Sequence, residues 1–526
     1  MYCKYYNLWY FVIFFKDIGE CKFMMKLIKN ECDRQANLTT TENGAVGYKS
    51  TGKNLLDMNY KISSFRNCTE EEIIESFDKA YHENVEYAMK WLFYVRDIRE
   101  GVGERRLFRV CYGRLVELNI DLFCKNLKNI SDYGRWDDLI SLVGLDDTAD
   151  EHIIDIIRLQ LNQDLYDMSL GKPISLLAKW MPSENASSET TKKLAKKVRK
   201  MLNYSSKDYR KTLSKLRKYL NVVEVKMCNN DWEHIDYEKV PSMANLKYSN
   251  AFMMHDRARR IEYLESVFKG ESKLNMKVAS PVDVVSRYGS GWRIMDYDQT
   301  LELAWKNLKD VMVEDTLVVA DGSGSMTVTV GGGRTTALDV ANALAIYTSE
   351  HNSGIYRNKY ITFSNNPQFV EFDEENTLQE KLKIASEHSE IENTNIEKVF
   401  DLILYVAIQN DIPKDEMVKN VLIISDMEFD MAQKGWYGSD TILTESLFDS
   451  IKQKYIANGY NLPKLIFWNV NSRTQTIPLV ENELGVVLVS GFSQNVLKMV
   501  MSNNCNPYEV LIETITSERY DQIICD

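Results

Sequence analysis

An aspartate and two serines, Asp321, Ser323 and Ser325, alternate with glycines directly after the apolar run at 317–320. A carboxylate and two hydroxyls at this spacing present hard oxygens from one tight loop, and the glycines permit unusual backbone angles there. Oxygen donors of this kind suit Mg²⁺ or Mn²⁺ rather than zinc. The residue types therefore predict a divalent metal site at these three residues.

A second carboxylate and a third hydroxyl could complete the site. The apolar run at 421–425 ends in Asp426, so this carboxylate should emerge at the same kind of strand end as Asp321. Thr394 precedes a helical pattern and could supply the hydroxyl from a neighbouring loop. Thr335 and Thr336 compete for that role, although they could instead cap the helix that begins near residue 337.

An alternation of strands and helices must position these residues. We predict strands at 317–320, 359–363, 368–372, 421–425, 464–468 and 486–490, the second and third forming a hairpin. We predict helices at 337–350, 378–388, 396–409 and 445–457, and a last helix from near Gln494. This order indicates a doubly wound, mostly parallel, Rossmann-like α/β domain over 310–526, which binds ligands beyond the carboxyl ends of its strands.

The preceding region, 41–309, is predicted to be all helical. From about residue 70 to 303 apolar residues recur at helical spacing between short polar breaks. One helix should begin after Thr69, a good N-cap, and place Ile73, Ile74, Phe77 and Ala80 on one face. Successive antiparallel helices of this kind build a bundle or a solenoid, and an irregular HEAT-like array is our expectation.

Charge separates the same two regions. The chain of 526 residues has a net charge of −12 and is long enough for two to four domains. Residues 312–526 carry 31 acids and 15 bases, a net charge of −16, so that the remainder sums to +4. Only the first region is therefore a plausible partner for a polyanion.

Residues 191–218 carry twelve Lys or Arg residues and a single acid, Asp208. Apolar residues at helical spacing among them predict an exposed basic face, which a phosphate backbone would bind through counterion release. A solvated helix surface that binds nothing is the alternative, and charge does not decide between them. The candidate RNA-binding residues are Lys192, Lys193, Lys196, Lys197, Arg199, Lys200, Arg210, Lys211, Lys215, Arg217 and Lys218.

Nine cysteines are scattered without a CxxC pair, which indicates neither a disulfide framework nor a zinc site and favours a reducing, cytoplasmic compartment. The apolar run at 6–15 is too short for a bilayer, which takes about 20 residues. No small-residue cleavage site follows it. We interpret residues 1–40 as an extension, with a membrane-associating segment as the alternative.

The DxSxS loop of Asp321, together with Thr394 and Asp426, resembles the metal-ion-dependent adhesion site of von Willebrand factor A domains. The resemblance implies that both serines and the threonine coordinate the ion directly, and that the aspartates act directly or through water. It also implies an open coordination position, which the acidic side chain of a partner fills.

Segments of the helical region carry recurring Arg, Asp, Gly and Glu residues. They are Tyr94-Val95-Arg96-Asp97-Ile98-Arg99-Glu100-Gly101-Val102-Gly103-Glu104-Arg105-Arg106, Tyr133-Gly134-Arg135-Trp136-Asp137-Asp138-Leu139 and Thr41-Glu42-Asn43-Gly44-Ala45. They resemble the signatures of TROVE-type domains, as in the Ro autoantigen family. An uncharacterised family that pairs the same two halves is similar too, for example at Ala178-Lys179-Trp180-Met181-Pro182 and Ser425-Asp426-Met427-Glu428-Phe429-Asp430.

The TROVE resemblance implies a HEAT-like ring, closed by the A domain, that binds small structured RNAs and the ends of misfolded ones. The motifs also have a purely structural interpretation, in which Arg96 with Asp97, or Arg135 with Asp137, form ion pairs between helix ends. We therefore expect a non-enzymatic RNA-binding protein with small non-coding or misfolded RNA as its partner, and no DNA or membrane partner.

The alternative is an adaptor without RNA, in which the metal captures a carboxylate of a partner protein; an RNA nuclease is a further candidate partner. A hydrolase is the third hypothesis. It is disfavoured because the sequence has no P-loop, no GxSxG elbow and no His or Lys base near the metal motif.

Overall fold

The computed structural model describes residues 25, 28–29, 32, 36–42, 44, 46–290, 293–330, 333–363, 367–388, 396–429, 447–478, 486–500 and 506–526. Within them a largely helical half precedes a half built around a six-stranded, mostly parallel sheet. The predicted combination of an α region and an α/β region is therefore confirmed. Among the described residues, no helix combines the length and the apolarity needed to cross a bilayer.

The helices of the first half follow one another closely. They are α1 Asn54–Tyr60, α2 Glu70–Glu83, α3 Val85–Arg96, α4 Arg106–Leu118, α5 Ile120–Asn126, α6 Ile130–Tyr133, α7 Trp136–Ile140, α8 Asp147–Ser169, α9 Leu177–Trp180, α10 Glu189–Met201, α11 Ser206–Leu220, α12 Val223–Cys228, α13 Ser242–Lys247, α14 Ser249–His255, α15 Arg257–Phe268, α16 Pro281–Tyr288 and α17 Gln299–Lys306.

Helix α2 begins where the sequence predicts. The Thr69 hydroxyl accepts the Glu72 amide and the Glu72 carboxylate accepts the Thr69 amide, which satisfies two amides that the first turn leaves open. Ile73, Phe77 and Ala80 are buried as predicted, and Ile74 is half-buried. The apolar spacing therefore identified the packed face of this helix correctly.

Two short antiparallel hairpins belong to the first half as well. They are β1 Leu38–Thr40 with β2 Val46–Tyr48, and β3 Gly289–Ser290 with β4 Arg293–Ile294. Neither pair was predicted, because the region 41–309 was expected to be all helical. Strands of two or three residues are too short to show an alternating pattern.

The second half contains the six-stranded sheet. Its strands are β5 Thr316–Asp321, β6 Lys359–Phe363, β7 Gln368–Glu371, β8 Asn420–Ser425, β9 Lys464–Asn469 and β10 Val486–Ser490, in the order β10-β9-β8-β5-β6-β7. All neighbours are parallel except β6 and β7, which form the predicted hairpin. The chain runs outward from β5 to β6 and β7, then returns to the other side of β5 and continues through β8 to β10.

The central strands are buried on both faces. Every residue of β5 is buried, as is every residue of β8 and β9 after the first. Because successive side chains of a strand point to opposite faces, both faces of the sheet must be covered. The continuous apolar runs in the sequence are the signature of such strands.

Helices cover this sheet: α18 Ala337–Glu350, α19 Leu378–Glu387, α20 Ile396–Gln409, α21 Leu447–Ala457, α22 Leu497–Val500 and α23 Pro507–Ile515. The bounds of α18 and α20 equal the predicted ones. The helix predicted from Gln494 begins as a 3₁₀ turn and continues as α22. Helix α23 was missed, although Asn506 caps it and Pro507 opens it, a recognisable start signal.

The two halves are joined along the sheet. Tyr48 of β2 exchanges backbone hydrogen bonds of 2.8 Å with Ile477, which follows β9. The C-terminal residues return to the helical half, where Asn126 donates to the Ile524 carbonyl at 2.8 Å. A continuous apolar core runs through both halves.

Candidate metal centre and nucleic-acid interface

Strand β5 delivers Asp321 to the carboxyl edge of the sheet, and a 3₁₀ turn over Gly324–Thr327 follows at once. The Asp321 side chain is 1 % exposed and accepts the Ser323 amide at 2.9 Å. The hydroxyl oxygens of Ser323 and Ser325 lie 2.9 Å apart. The turn therefore holds the predicted donors side by side.

Asp426 follows the neighbouring strand β8 and is fully buried. Ser425, the last residue of β8, donates its hydroxyl to Asp321 at 2.6 Å and so ties the two strand ends together. Strands β5 and β8 are the pair between which the chain reverses its direction across the sheet. Such a switch point leaves a crevice where ligands of doubly wound sheets bind.

Burial raises the pKa of both carboxyl groups. For Asp321 the loss of hydration is the largest cause and the negative charge of Asp426 adds to it, while hydrogen bonds from Ser425 and Ser323 act against the shift. For Asp426 burial again raises the pKa, and the charge of Arg473 is the largest opposing cause. Two buried carboxyl groups in this setting would gain from a bound cation.

The donor set fits a small hard cation. Around an octahedral Mg²⁺ with bonds of about 2.1 Å, neighbouring ligand oxygens lie about 3.0 Å apart. The separation of the Ser323 and Ser325 hydroxyl oxygens matches that edge. Arg473 connects the two loops, because its Nη1 donates both to Asp426 and to the Ser325 carbonyl.

The third hydroxyl is less well defined. Thr394 lies outside the described residues, so its prediction stays open. Thr336 caps helix α18, since its hydroxyl accepts the Asp339 amide at 3.1 Å. Thr335 is half-buried and lines a cavity of about 390 Å³ between the halves, next to Val330 and Gly333.

Arg473 is a charged residue of this site that the sequence analysis missed. It lies beyond the end of β9, and its Nη1 donates to Asp426 Oδ2 at 2.9 Å and to the Ser325 carbonyl at 3.3 Å. Its Nε donates to Glu42 Oε2 at 2.7 Å. One signal could have found it, because Arg473 is the sole base between Lys464 and Lys498 and follows a strand that ends at the same edge.

Glu428 organises the surroundings of Arg473. This buried carboxylate accepts the backbone amides of Arg473 and Thr474, each at 2.8 Å, and the Thr474 hydroxyl at 2.9 and 3.0 Å. It also accepts the Glu42 amide at 2.8 Å. One carboxylate thus fixes the loop after β9 and the segment between β1 and β2 against the metal loops.

The basic stretch forms two consecutive helices, α10 and α11. Their apolar residues Ala195, Val198, Leu213 and Leu216 are buried, which turns the other sides to solvent. A set of exposed lysines on these sides forms no ion pair within the described part of the chain. We call this set the lysine face; it consists of Lys193, Lys196, Lys200, Lys207, Lys211, Lys215 and Lys218.

Several other predicted RNA-binding residues have partners within the protein. Lys192 pairs with Glu189 and Lys197 with Asp150, both at 2.6 Å, and Arg210 donates to the Ser206 carbonyl. Arg199 binds Glu184 at 2.9 Å and the Tyr204 carbonyl at 2.7 Å. Arg217 donates to the carbonyls of Ala178 and Met181 and to the Ser183 hydroxyl, so it holds the loop around Pro182.

A family model described as "Domain of unknown function (DUF2828)" matches residues 41–152 and 152–317, just over half of the chain. The chain belongs to the DUF2828 family. A second model, "Domain of unknown function (DUF7788)", matches residues 315–522.

A relative of this DUF2828 chain is an uncharacterised protein of Acanthamoeba polyphaga mimivirus. It is 31% identical over 520 residues, which cover 91% of this chain and 87% of the viral protein. The likeness therefore runs through both halves. The family models that match are the two domains of unknown function and not a TROVE or von Willebrand A model.

In this DUF2828 chain the Arg- and Asp-rich motifs of the helical half pair with residues distant in the sequence. Arg96 does not pair with its neighbour Asp97, as one interpretation had it, but with Asp138 at 2.7 Å, and both side chains are buried. Asp97 instead accepts Arg519 Nε at 2.8 Å, a contact between the halves. The suggested pair of Arg135 with Asp137 is present at 3.0 Å.

A further group of possible ligands, Asp231, Glu233 and His234, lies at the surface of the helical half. His234 pairs with Asp231 within this group. Exposed acidic groups of this kind are common without an ion, so the group supports no metal site by itself.

Proposed function

We propose that this DUF2828 chain is a non-enzymatic RNA-binding protein whose lysine face contacts the phosphate backbone, and whose α/β half is a von Willebrand A-type domain that holds Mg²⁺. The observation that carries the RNA role is the set of seven exposed lysines without acidic partners among the described residues. Small structured or misfolded RNA is the partner class that the TROVE-like motifs favour.

The lysine face supports a phosphate contact because its side chains are available. A salt bridge inside the protein would have to be broken before RNA could bind, whereas an exposed lysine releases only counterions. The residues with internal partners, above all Arg217 and Arg199, are reassigned in this proposal to positioning α10 and α11. Of the eleven predicted RNA-binding residues, the proposal keeps as RNA contacts only those that belong to the lysine face. It adds Lys207, which was not among the eleven.

The metal centre supports the A-type assignment. Asp321, Ser323, Ser325 and Asp426 come together at the switch point of a mostly parallel sheet, and their spacing suits octahedral Mg²⁺. The polar neighbours are hydroxyls, carboxylates and the guanidinium of Arg473. A guanidinium keeps its proton and cannot act as a general base, which favours a binding role over hydrolysis.

Fluorescence anisotropy with a structured and a single-stranded RNA at several salt concentrations tests the RNA role. The test variant replaces Lys193, Lys196, Lys200, Lys211, Lys215 and Lys218 by Ala. The control variant replaces six exposed lysines elsewhere by Ala and changes the net charge equally: Lys128, Lys269, Lys273, Lys383, Lys414 and Lys419.

The wild-type protein should bind RNA with a steep salt dependence, because each phosphate contact contributes about −0.7 to −0.9 to the slope of log K against log salt. The test variant should lose at least about tenfold in affinity and most of that slope, and the control should keep both. Equal losses in both variants would mean that overall charge, and not the lysine face, attracts RNA. Absence of RNA binding by the wild-type protein would end the RNA proposal.

The alternative function, metal-dependent capture of a partner carboxylate, is favoured by the exposure of the metal loop. Ser325 is only half-buried, and Thr327, Val328 and Thr329 farther along the loop are exposed, so this part of the loop faces solvent. Asp321→Ala should abolish stabilisation of the fold by Mg²⁺, while Asp310→Ala, which removes an exposed carboxylate elsewhere, should retain it. A thermal shift that survives Asp321→Ala would show that the ion binds somewhere else.

A further inference from the structure

Arg473 shares the carboxylate of a proposed metal ligand. Its guanidinium donates to Asp426 Oδ2 at 2.9 Å, and the other oxygen of Asp426 accepts the Glu428 amide at 3.2 Å. The Arg473 side chain is partly exposed, while that of Asp426 is fully buried. One oxygen of the carboxylate is therefore held by a backbone amide and the other by a partly exposed side chain.

The same guanidinium is bound from the other side by Glu42. The Glu42 carboxylate lies within 2.5 Å of Arg473 Nη2 and accepts Nε at 2.7 Å, and its side chain is 58 % exposed. Glu42 belongs to the segment between β1 and β2, in the first half of the chain. The guanidinium of Arg473, in the α/β half, thus lies between a carboxylate of each half.

The backbone around this pair is fixed. Glu428 accepts the amides of Arg473 and Glu42, and the Thr41 hydroxyl donates to the Phe429 carbonyl at 2.5 Å. Both residues are thereby anchored at the main chain, and the guanidinium contacts Asp426 and Glu42 at the same time. The geometry is that of one cation between two carboxylates.

A divalent cation beside Ser325 and Asp426 would change the balance between these two contacts. Its charge repels the guanidinium and attracts the Asp426 oxygen that Arg473 now holds, at a distance where charges interact strongly. Glu42 provides a second partner for the displaced guanidinium and adds negative charge near the ion. Arg473 should thus oppose cation binding, and Glu42 should favour it.

We propose that Arg473 is a built-in counter-ion that competes with the divalent cation for Asp426, and that Glu42 draws it away, so that cation binding and docking of Glu42 with strands β1 and β2 reinforce each other. This inference rests on the proposed metal centre. It adds two residues that no motif assigns to the centre, and it makes the contact between the halves depend on the metal. Because coupling is reciprocal, Mg²⁺ must stabilise the docked segment as much as the segment strengthens Mg²⁺ binding.

Calorimetric Mg²⁺ titration of the full chain measures the first part. Arg473→Met should bind Mg²⁺ at least about tenfold more tightly, since it removes a positive charge beside the ion. Glu42→Gln should bind it about threefold or more weakly, and because Glu42 is largely exposed this variant should fold normally. Arg357→Met and Glu374→Gln, which break an exposed ion pair elsewhere, are the matched controls and should bind like the wild-type protein.

The double variant Arg473→Met with Glu42→Gln gives a sharper result. If Glu42 acts chiefly through Arg473, the loss caused by Glu42→Gln should shrink markedly in the Arg473→Met background. Equal effects of Glu42→Gln in both backgrounds would overturn the proposed transfer of the guanidinium. Unchanged or weaker Mg²⁺ binding by Arg473→Met would overturn the competition itself.

Hydrogen exchange measures the reciprocal part. The amides of Glu42 and Tyr48, which donate to Glu428 and to the Ile477 carbonyl, should exchange more slowly when Mg²⁺ is added. The slowing should be absent in Asp321→Ala. Exchange that is unchanged or faster with Mg²⁺ would contradict the coupling.

These outcomes separate the inference from the metal centre on which it rests. If Mg²⁺ binding disappears in Asp321→Ala but is unchanged in Arg473→Met and Glu42→Gln, the proposed metal centre stands and the inference is refuted. Failure of both the wild-type protein and Arg473→Met to bind Mg²⁺ would refute both.

Discussion

Two clusters of charged residues in the helical half differ in their surroundings. At the junction of the halves Arg96, Asp97 and Asp138 are buried and paired, and Arg519 completes the group. We call these four residues the junction cluster. On the lysine face, by contrast, the charged side chains are exposed and form no ion pairs among the described residues. The sequence predicted RNA binding for most of the lysine face, and an ion pair between helix ends was one interpretation of Arg96 and Asp97.

This difference indicates which charged side chains are available to a binding partner such as RNA. A buried, hydrogen-bonded charge is committed to the fold, and removing its partner leaves it without compensation in a poorly hydrated site. An exposed lysine costs the fold little to remove and is available to a polyanion. Stability should therefore depend on the junction cluster, and RNA binding on the lysine face.

The largest effect is expected for Arg96→Ala. The variant removes a large buried side chain and its contacts of 2.7 and 2.8 Å with the buried Asp138, which keeps Arg109 as its remaining cationic partner at 2.8 Å. The free energy of unfolding should fall by about 3–5 kcal/mol, measured by denaturant titration. Arg357→Ala, which removes an exposed arginine from a weak ion pair, should leave it unchanged within error. A small loss of unfolding free energy for Arg96→Ala would contradict the structural role of the junction cluster.

The structural role of Arg96 was visible in the sequence only in part. The motif and its acidic neighbours were recognised, and ion pairing was one interpretation, but the nearest acid, Asp97, was taken as the partner. The true partner, Asp138, is 42 positions away. Periodicity and capping locate a helix along the chain, and they contain no information on which helices meet.

The α/β half shows the same limit. Its strands and the meeting of Asp321 with Asp426 could be predicted, because buried parallel strands are continuous apolar runs and their carboxyl ends share an edge. The contacts that Glu42 makes with Arg473 and Glu428 could not be predicted, because they depend on how the loop after β9 and the hairpin β1–β2 dock. The sequence pattern thus identified the metal-site residues that follow strand ends. It did not identify the contacts that depend on how loops pack.

A smaller loss is expected for Arg519→Ala. Arg519 donates to both oxygens of Asp97, at 2.8 and 3.1 Å. In the variant, Asp97 would still accept a hydrogen bond from the Arg99 backbone amide. Unfolding free energy should decrease by about 1.5–3 kcal/mol, the usual value of hydrogen bonds to a charged group. Thermal denaturation monitored in both halves should still give one transition. Two separated transitions would mean that the junction cluster alone couples the halves.

A variant of the lysine face should change RNA binding without changing stability. It replaces Lys193, Lys196 and Lys200 together by Ala. The slope of log K against log salt should become shallower by about 2 to 3, one phosphate contact per lysine. The melting temperature should stay close to that of the wild-type protein, since surface changes usually alter stability by less than about 0.5 kcal/mol. An unaltered slope would exclude these lysines from the interface.

The smallest effects are expected for two adjacent residues, Arg199 and Lys200. Arg199 should contribute to stability, whereas Lys200 should contribute to RNA binding. Arg199 is tied to Glu184 and to the Tyr204 carbonyl, whereas Lys200 is exposed. Arg199→Ala should cost about 1 kcal/mol of stability and leave RNA affinity nearly unchanged. Lys200→Ala should keep the stability and weaken RNA binding about two- to fivefold.

The cost of Arg199→Ala should also depend on pH. The hydrogen bond from Ser206 holds the pKa of Glu184 below its ordinary value, and Arg199 lowers it further. A depressed pKa stabilises the fold above the pKa of the unfolded chain, and that stabilisation is lost as pH falls through the folded value. The stability difference between wild-type protein and Arg199→Ala should therefore shrink as the pH is lowered from 7 into the acidic range. A difference that stays constant would assign the role of Arg199 to its carbonyl contact and not to its charge pair with Glu184.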